Sequence, residues 1–317
     1  MIVCVAGNPA IDKLFEVGDL VPGAIHRPET FVPLPGGKGI HVAQVITALG
    51  GHAVATAILG GHAGHWLAGT LEAEGVPGRF AWSDAGETRS CLTVADRATA
   101  GLTEFYEDGI PARREDWDAL TNIVTGLLTE GAGWLAMAGS VPAATQLPGY
   151  ADLITRARRA GARSAIDSRG SDLVRALEAG PDVTKINAHE ASALLDRAVT
   201  SVADGIVAAY EIRDRAGGPG RAVVITLGEV GMVLLDPSGD TWHGTVAAHG
   251  DYPVGSGDAF LAGLLTALVH DPELAWSEAA RLGLGAAAAN AEVAGAARLD
   301  PARARELATR AMLRRIA

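Results

Sequence analysis

The chain is short of the residues that mark several functional classes. Two cysteines, Cys4 and Cys91, occur in 317 residues, too few for a disulfide framework or a cysteine metal site. Cys4 lies within the apolar run 2–6, so buried free thiols in a reducing compartment are expected. Basic residues are in deficit, 26 Lys and Arg against 37 Asp and Glu, for a net charge of −11. That balance argues against nucleic acid or an anionic membrane as a partner of the general surface. A phosphate-bearing substrate therefore requires a local basic pocket. No apolar stretch reaches ~18 residues without polar breaks, and no basic leader precedes the first strand. Neither membrane spanning nor secretion is expected, and a cytoplasmic location is the default. Repeats, low-complexity linkers and a second core are also missing. What remains is a chain with 48% hydrophobic residues, enough for a well-buried α/β core.

The stretch Val254-Gly255-Ser256-Gly257-Asp258-Ala259-Phe260 organises the reading. Gly255 and Gly257 let the backbone turn with its N–H groups pointing one way, and the apolar run 259–269 reads as a helix starting there. Exposed amides at a helix N-terminus carry partial positive charge and favour phosphoryl oxygens. Asp258, at the mouth of the helix, is placed to accept a proton from an attacking hydroxyl. A simple helix capped by Ser256 or Asp258 explains the same residues, so the rest of the chain has to decide.

Residues 2–6 read as a buried strand, ended by Gly7-Asn8-Pro9-Ala10 before Asp12. Alternating segments near 14–17 and 25–32 predict strands outside the main sheet. Pro35-Gly36-Gly37-Lys38-Gly39 opens a helix from about Ile40 to Leu49; it is not a P-loop, because Gly39 and Ile40 follow the lysine. Gly60 to His65 reads as a turn before a helix over 66–74, and His62 and His65 as solvated loop rather than a metal pair. Runs 89–95 and 102–106 predict a hairpin that, with the segments near 14–32, forms a small sheet covering a site and excluding water. From residue 113 the pattern is regular βα alternation: helices over 113–129, 145–160, 171–178 and 202–215, strands over 133–138, 163–166, 183–186 and 222–226. This predicts a parallel sheet with helices on both faces. Gly139-Ser140-Val141-Pro142, Asp167-Ser168-Arg169-Gly170 and Asn187-Ala188-His189-Glu190 fall at strand carboxyl ends, where open α/β sheets bind ligands. The spacing of Thr226, Gly228 and Gly231 suits either a loop approached by a nucleotide or a glycine-containing hairpin into strands 232–235 and 241–245. Helices over 276–293 and 301–314 close the chain.

Taken in order, these motifs resemble the PfkB branch of the ribokinase superfamily, and within it the 1-phosphofructokinase and tagatose-6-phosphate kinase subgroup. Asn8 to Asp12 is similar to the family's NPAID start, Pro35 to Gly39 to PGGKG, Gly139 to Pro142 to GSLP, Asn187 to Glu190 to NxxE, Thr226 to Gly231 to TxGxxG, and Gly255 to Asp258 to GAGD. The resemblance spans essentially the whole chain. It implies a three-layer α/β/α ribokinase-like fold with a mostly parallel central sheet and a β-sheet lid, a single kinase domain over 1–317 with lid segments at about 12–34 and 88–108. It also implies ATP and Mg2+ as cofactors. Asp258 is then the catalytic base, with the amides of Gly255, Ser256 and Gly257 holding the transferring group. The sugar side comprises Asp12, Gly36, Gly37, Lys38, His41 and Ser140, with Arg27 and Arg89 for a substrate phosphate. The nucleotide side comprises Lys185, Asn187, Glu190, Thr226, Gly228, Gly231 and Asn290, with Asn187 and Glu190 organising the metal through water. Family members pair through their lids, which implies a homodimer.

Departures cluster on the sugar side. His41, Cys91 and Tyr106 stand where the family usually has Asn, and Arg169 interrupts its DxSG pattern. An amide offers a donor and an acceptor to sugar hydroxyls, which Cys does poorly. The resemblance implies a kinase of a sugar phosphate, fructose 1-phosphate first. Tagatose 6-phosphate, fructose 6-phosphate and an unphosphorylated sugar or nucleoside are the alternatives, and a non-catalytic sensor is the reading from another class.

Overall fold

The computed structural model describes residues 1–99, 101–142, 147–248 and 250–316. Strand β1 (Ile2–Ala6) is apolar throughout because both its faces are covered: Ile2, Cys4 and Ala6 enter one core, Val3 and Val5 the other. The chain leaves the main sheet for β2 (Ala10–Val17) and β3 (Thr30–Gly36), and returns through α1 (Lys38–Ala48), β4 (Ala53–Gly60), α2 (Gly61–Ala73) and the short β5 (Ala81–Ser83). It leaves again for the hairpin β6 (Arg89–Asp96) and β7 (Gly101–Tyr106). Alternation then sets in with α3 (Arg114–Thr129), β8 (Trp134–Ala138), α4 (Gly149–Arg159), β9 (Arg163–Asp167), α5 (Gly170–Glu178) and β10 (Val183–Asn187). Next come α6 (Ala188–Leu195), α7 (Val202–Arg215), β11 (Ala222–Thr226), β12 (Met232–Leu235) and β13 (Thr241–Thr245). The chain ends with α8 (Ser256–His270), α9 (Trp276–Ala291), α10 (Pro301–Arg310) and β14 (Met312–Arg315).

The strands form a ten-stranded sheet in the order β14-β13-β12-β11-β10-β9-β8-β1-β4-β5. It is parallel from β5 to β11, with β12, β13 and β14 added antiparallel at one edge. One face packs on α1, α2, α8, α9 and α10 through Ile40, Leu67, Phe260, Leu284 and Leu307. The other packs on α3, α4, α5 and α7 through Trp117, Tyr150, Leu173 and Ile212. These are the three layers expected. A separate four-stranded sheet, β3-β2-β6-β7, is the expected lid. No helix among the described residues is long and apolar enough to cross a membrane.

Several local expectations are corrected. The stretch 61–65 is the first turn of α2 and not a loop, because Glu87, from the segment before β6, accepts hydrogen bonds from the amides of His62 (3.1 Å) and Ala63 (2.9 Å). His65 stacks on Trp82, and no group of three or more metal-ligating side chains occurs among the described residues. Residues 188–195, to which the sequence pattern assigns no element, form α6. The carboxyl-terminal helix stops at Arg310, and β14 pairs with β13 instead. Asp12 sits within the lid strand β2, opposite Leu34 on β3 and Cys91 on β6, and that strand begins at Ala10, inside the stretch read as a turn. The expected start of α4 at Thr145 lies outside the described residues.

Candidate active site

Lid and core meet where β3 runs into α1. Gly37 adopts φ 100°, a left-handed value that disfavours a side chain, and an added Cβ would lie 3.0 Å from Pro9 Cα. At Gly36 a Cβ would collide with the Asp12 carboxylate. The two glycines thus let the chain reverse against β2 and start α1 at Lys38 with its side chain directed to the strand ends. Lys38 Nζ donates to Asp167 Oδ1 at 2.7 Å and to Glu190 Oε1 at 3.1 Å, while Lys185 Nζ meets the other Asp167 oxygen at 2.5 Å. Burial pushes the Lys38 ammonium down, but Asp167, Asp258 and Glu190 outweigh it and raise the group above its ordinary range. Asp167 is fully buried, which by itself raises it; Lys185 and Lys38 reverse the sign and hold it below the usual carboxylate range.

Opposite stands the start of α8. Gly255 takes φ 84°, a turn that a bulkier residue there resists, and Ser256 begins the helix. An added Cβ at Gly257 would lie 2.5 Å from Lys185 Nζ, so that buried ammonium sits against the loop. Asn290 is fully buried on α9, and its amide donates to Val254 O (2.9 Å) and Ser256 Oγ (3.2 Å). It therefore braces the loop from beneath. Asp258 is buried in the first turn, with Oδ2 at 2.9 Å from His41 Nδ1; the other ring nitrogen, Nε2, lies 3.1 Å from Asp12 Oδ2.

A cavity of about 960 Å³ opens between lid and sheet and brings together Asp12, Gly37, Lys38, His41, Arg89, Ser140, Glu190, Gly255 and Asp258. Arg89 reaches the carbonyls of Asn8 (3.2 Å) and Glu107 (3.3 Å), and its buried Nε has no partner among the described residues. Cys91, Tyr106 and Arg169, three of the departures, line the same cavity. Arg27 does not: it lies on an exposed segment between β2 and β3. Asn187 and Glu190 form a reciprocal capping box at α6, with Glu190 N donating to Asn187 Oδ1 (2.8 Å) and Asn187 N to Glu190 Oε2 (2.9 Å). Thr226 is the register partner of Asn187, so the 226–231 turn flanks the cavity at the next strand and does not line it. The residue missed as a site member is Asp167. Its position at a strand carboxyl end was visible, but the two lysines that define it lie 129 and 18 residues away.

A buried carboxylate at a helix N-terminus, loop amides beside it and a cavity under a lid that includes Lys38 and Arg89 form an arrangement suited to phosphoryl transfer. The model of the pfkB family of carbohydrate kinases matches residues 3–303. The chain belongs to this family. Among curated proteins it is 33% identical over 286 residues to a 1-phosphofructokinase of Rhodobacter capsulatus, covering 89% of this chain and 87% of that one. It is 32% identical over 296 residues to a 1-phosphofructokinase of Haloferax volcanii, covering 93% and 92%. Among solved structures, phosphofructokinase-2 from Escherichia coli in complex with potassium superposes with a TM-score of 0.88 at 27% identity over 98% of both chains. This pfkB chain is accordingly a carbohydrate kinase, a phosphotransferase acting on an alcohol.

Proposed function

We propose that this pfkB kinase transfers the γ-phosphoryl group of ATP to a hydroxyl of a sugar phosphate, fructose 1-phosphate first among them. The observation that carries the reading is the cavity itself, where Asp258, Arg89 and Lys38 line the same space, so that one ligand can meet a carboxylate, a guanidinium and an ammonium group. The 1-phosphofructokinase relatives support the acceptor. Arg89 has spare N–H donors after its two carbonyl bonds, and a guanidinium grips phosphate with paired hydrogen bonds.

In the transfer step the acceptor hydroxyl loses its proton to Asp258 as its oxygen bonds to the γ-phosphorus and the bond to the nucleoside diphosphate breaks. Asp258 Oδ1 takes no hydrogen bond among the described residues, which leaves it for that proton. The amides of Gly255, Ser256 and Gly257, with Lys185 behind Gly257, stabilise charge on the transferring oxygens. Lys38, held by Asp167 and Glu190, adds positive charge between the two substrates.

The donor set also bears on magnesium. Both side chains of the 187–190 box are engaged, and no three ligating side chains cluster among the described residues. This fits an ion that keeps several waters and rides on the nucleotide phosphates, with Glu190 and Asn187 reaching its water shell. Such an ion neutralises phosphate charge when bound. We read residues 1–317 as one catalytic unit, with Thr226, Gly228 and Gly231 on the nucleotide side. The lid carries exposed Phe31, Leu102 and Phe105, apolar surface that supports pairing of two copies there.

The test is ADP release with Mg-ATP and fructose 1-phosphate, fructose 6-phosphate, tagatose 6-phosphate or their unphosphorylated parents. Turnover of fructose 1-phosphate with the highest kcat/KM is expected. Turnover of the unphosphorylated sugars alone overturns the reading.

A further inference from the structure

We propose that His41 is a positioning residue of the transfer step, a bridge that ties Asp258 to Asp12 and fixes the spacing of the two carboxylate oxygens left free for acceptor hydroxyls. The inference rests on the reading of Asp258 as base and adds a determinant of which hydroxyl reaches it.

The ring is buried, and its two nitrogens meet two different carboxylates, Nδ1 at 2.9 Å from Asp258 Oδ2 and Nε2 at 3.1 Å from Asp12 Oδ2. An ionised carboxylate only accepts, so satisfying both contacts requires a donor at each nitrogen and hence an imidazolium. Burial pushes the ring down, but the hydrogen bonds and charges of Asp12 and Asp258 overcome it and raise the group to about 10. The titratable groups around it are Asp12 on β2, Asp258 on α8, Lys38 one turn earlier on α1, and Cys91 across from Asp12 on β6. Burial lifts the Cys91 thiol to about 11, which keeps it uncharged near neutral pH.

The bridge has two consequences. One oxygen of each carboxylate is committed, so the acceptor meets Oδ1 of Asp258 and Oδ1 of Asp12, a single pair set apart by a rigid ring. The buried base is also balanced by a fixed cation that occupies Oδ2 and leaves Oδ1 without a hydrogen bond among the described residues. An amide, usual in the family here, is smaller and neutral. It reaches one carboxylate at a time and lets the other turn.

The experiment compares His41→Asn and His41→Leu with the wild type on the best acceptor and on ATP. Displacing a reacting group by a fraction of the bridge's reach costs roughly 100-fold. The expected result is that loss in kcat for His41→Leu, a smaller loss for His41→Asn, and an ATP KM within about twofold of the wild type. A His41→Leu enzyme that keeps kcat within about threefold overturns the proposal. A second measurement covers variants that do not fold: the 15N imidazole spectrum of the wild-type protein at pH 8, with the His41 signal assigned by its shift in Asp12→Asn. Two protonated ring nitrogens support the bridge, and a neutral ring overturns it. An enzyme silent on every sugar phosphate overturns the proposed acceptor and not the bridge, which the spectrum decides independently.

Discussion

The two sides of the cavity are built from different materials. On the proposed nucleotide side the groups belong to helix starts and the loop before α8: the turn at Gly255, the Asn187–Glu190 capping box at the start of α6, and the Asn290 amide bracing the loop by its bond to Val254 O. On the proposed acceptor side they are side chains from separated segments, Asp12 on β2, His41 on α1, and Arg89 and Cys91 on β6. The positive φ at Gly255 and the lack of room for a Cβ at Gly257 admit few residue types, which accords with the glycines of the family pattern standing there. Around the proposed acceptor side, His41, Cys91, Tyr106 and Arg169 all depart from that pattern. On the proposed reading, transfer and acceptor choice are separable properties of this molecule.

Breaking the transfer side has the largest expected effect. Asp258→Asn removes the proton acceptor and should lower kcat by about 1,000-fold or more, with nucleotide affinity unchanged by calorimetry. Activity near the wild-type level would remove Asp258 from the role of base. Next is Asp167, whose loss takes from buried Lys185 the carboxylate it pairs with and leaves Lys38 with Glu190. Removing one partner of a buried ion network costs about 3–5 kcal/mol, and the low end applies because Lys38 is about one-third exposed and partly screened. Chemical denaturation of Asp167→Asn measures it. Because Asp167 is held below its ordinary value of 3.8, its contribution is complete above that pH and fades as the pH falls towards 2; the variant should lose this acid-side dependence.

Gly257→Ala comes third. The new methyl group displaces Lys185 from the loop and should cost roughly 100-fold in kcat while leaving the acceptor KM near its original value. His41 has the opposite sign in pH from Asp167. Its folded value is raised from 6.5 to about 10, so its stabilising contribution is complete below pH 6.5 and is lost as the pH rises through 10. Thermal melts of the wild type between pH 7 and pH 10 should fall more steeply than those of His41→Asn, and parallel curves would count against the charged bridge. The smallest effect is expected for Cys91→Asn, which restores the family amide. It should change the acceptor KM by less than about tenfold and leave the ATP KM alone.

The layered scaffold was legible in the chain because its signals are local. The apolar strand Ile2–Ala6, the βα alternation after residue 113 and the glycines before Asp258 each carry their own period or turn chemistry. Misreadings occur where the deciding partner is distant. The first turn of α2 reads as a loop because its cap, Glu87, lies 25 residues away from His62. Helix α6 is missed for a different, local reason: Asn187 and Glu190 look like ligand groups and are at the same time its capping box, three residues apart. Strand β14 is short and ends in two arginines, and only pairing with β13 defines it. Nine of the nineteen named site residues line one cavity, yet the contacts that give His41 its character span 29 and 217 residues. No local pattern encodes them.

The separation of the two sides is tested most directly by one ratio, kcat/KM for fructose 1-phosphate over that for fructose, in the wild type and in Arg89→Ala. Charged hydrogen bonds to a phosphate are worth about 1.5–3 kcal/mol, so the ratio should collapse by roughly tenfold to a hundredfold in the variant, with the ATP KM unchanged. A ratio that survives the loss of Arg89, or an ATP KM that moves with it, would contradict the account.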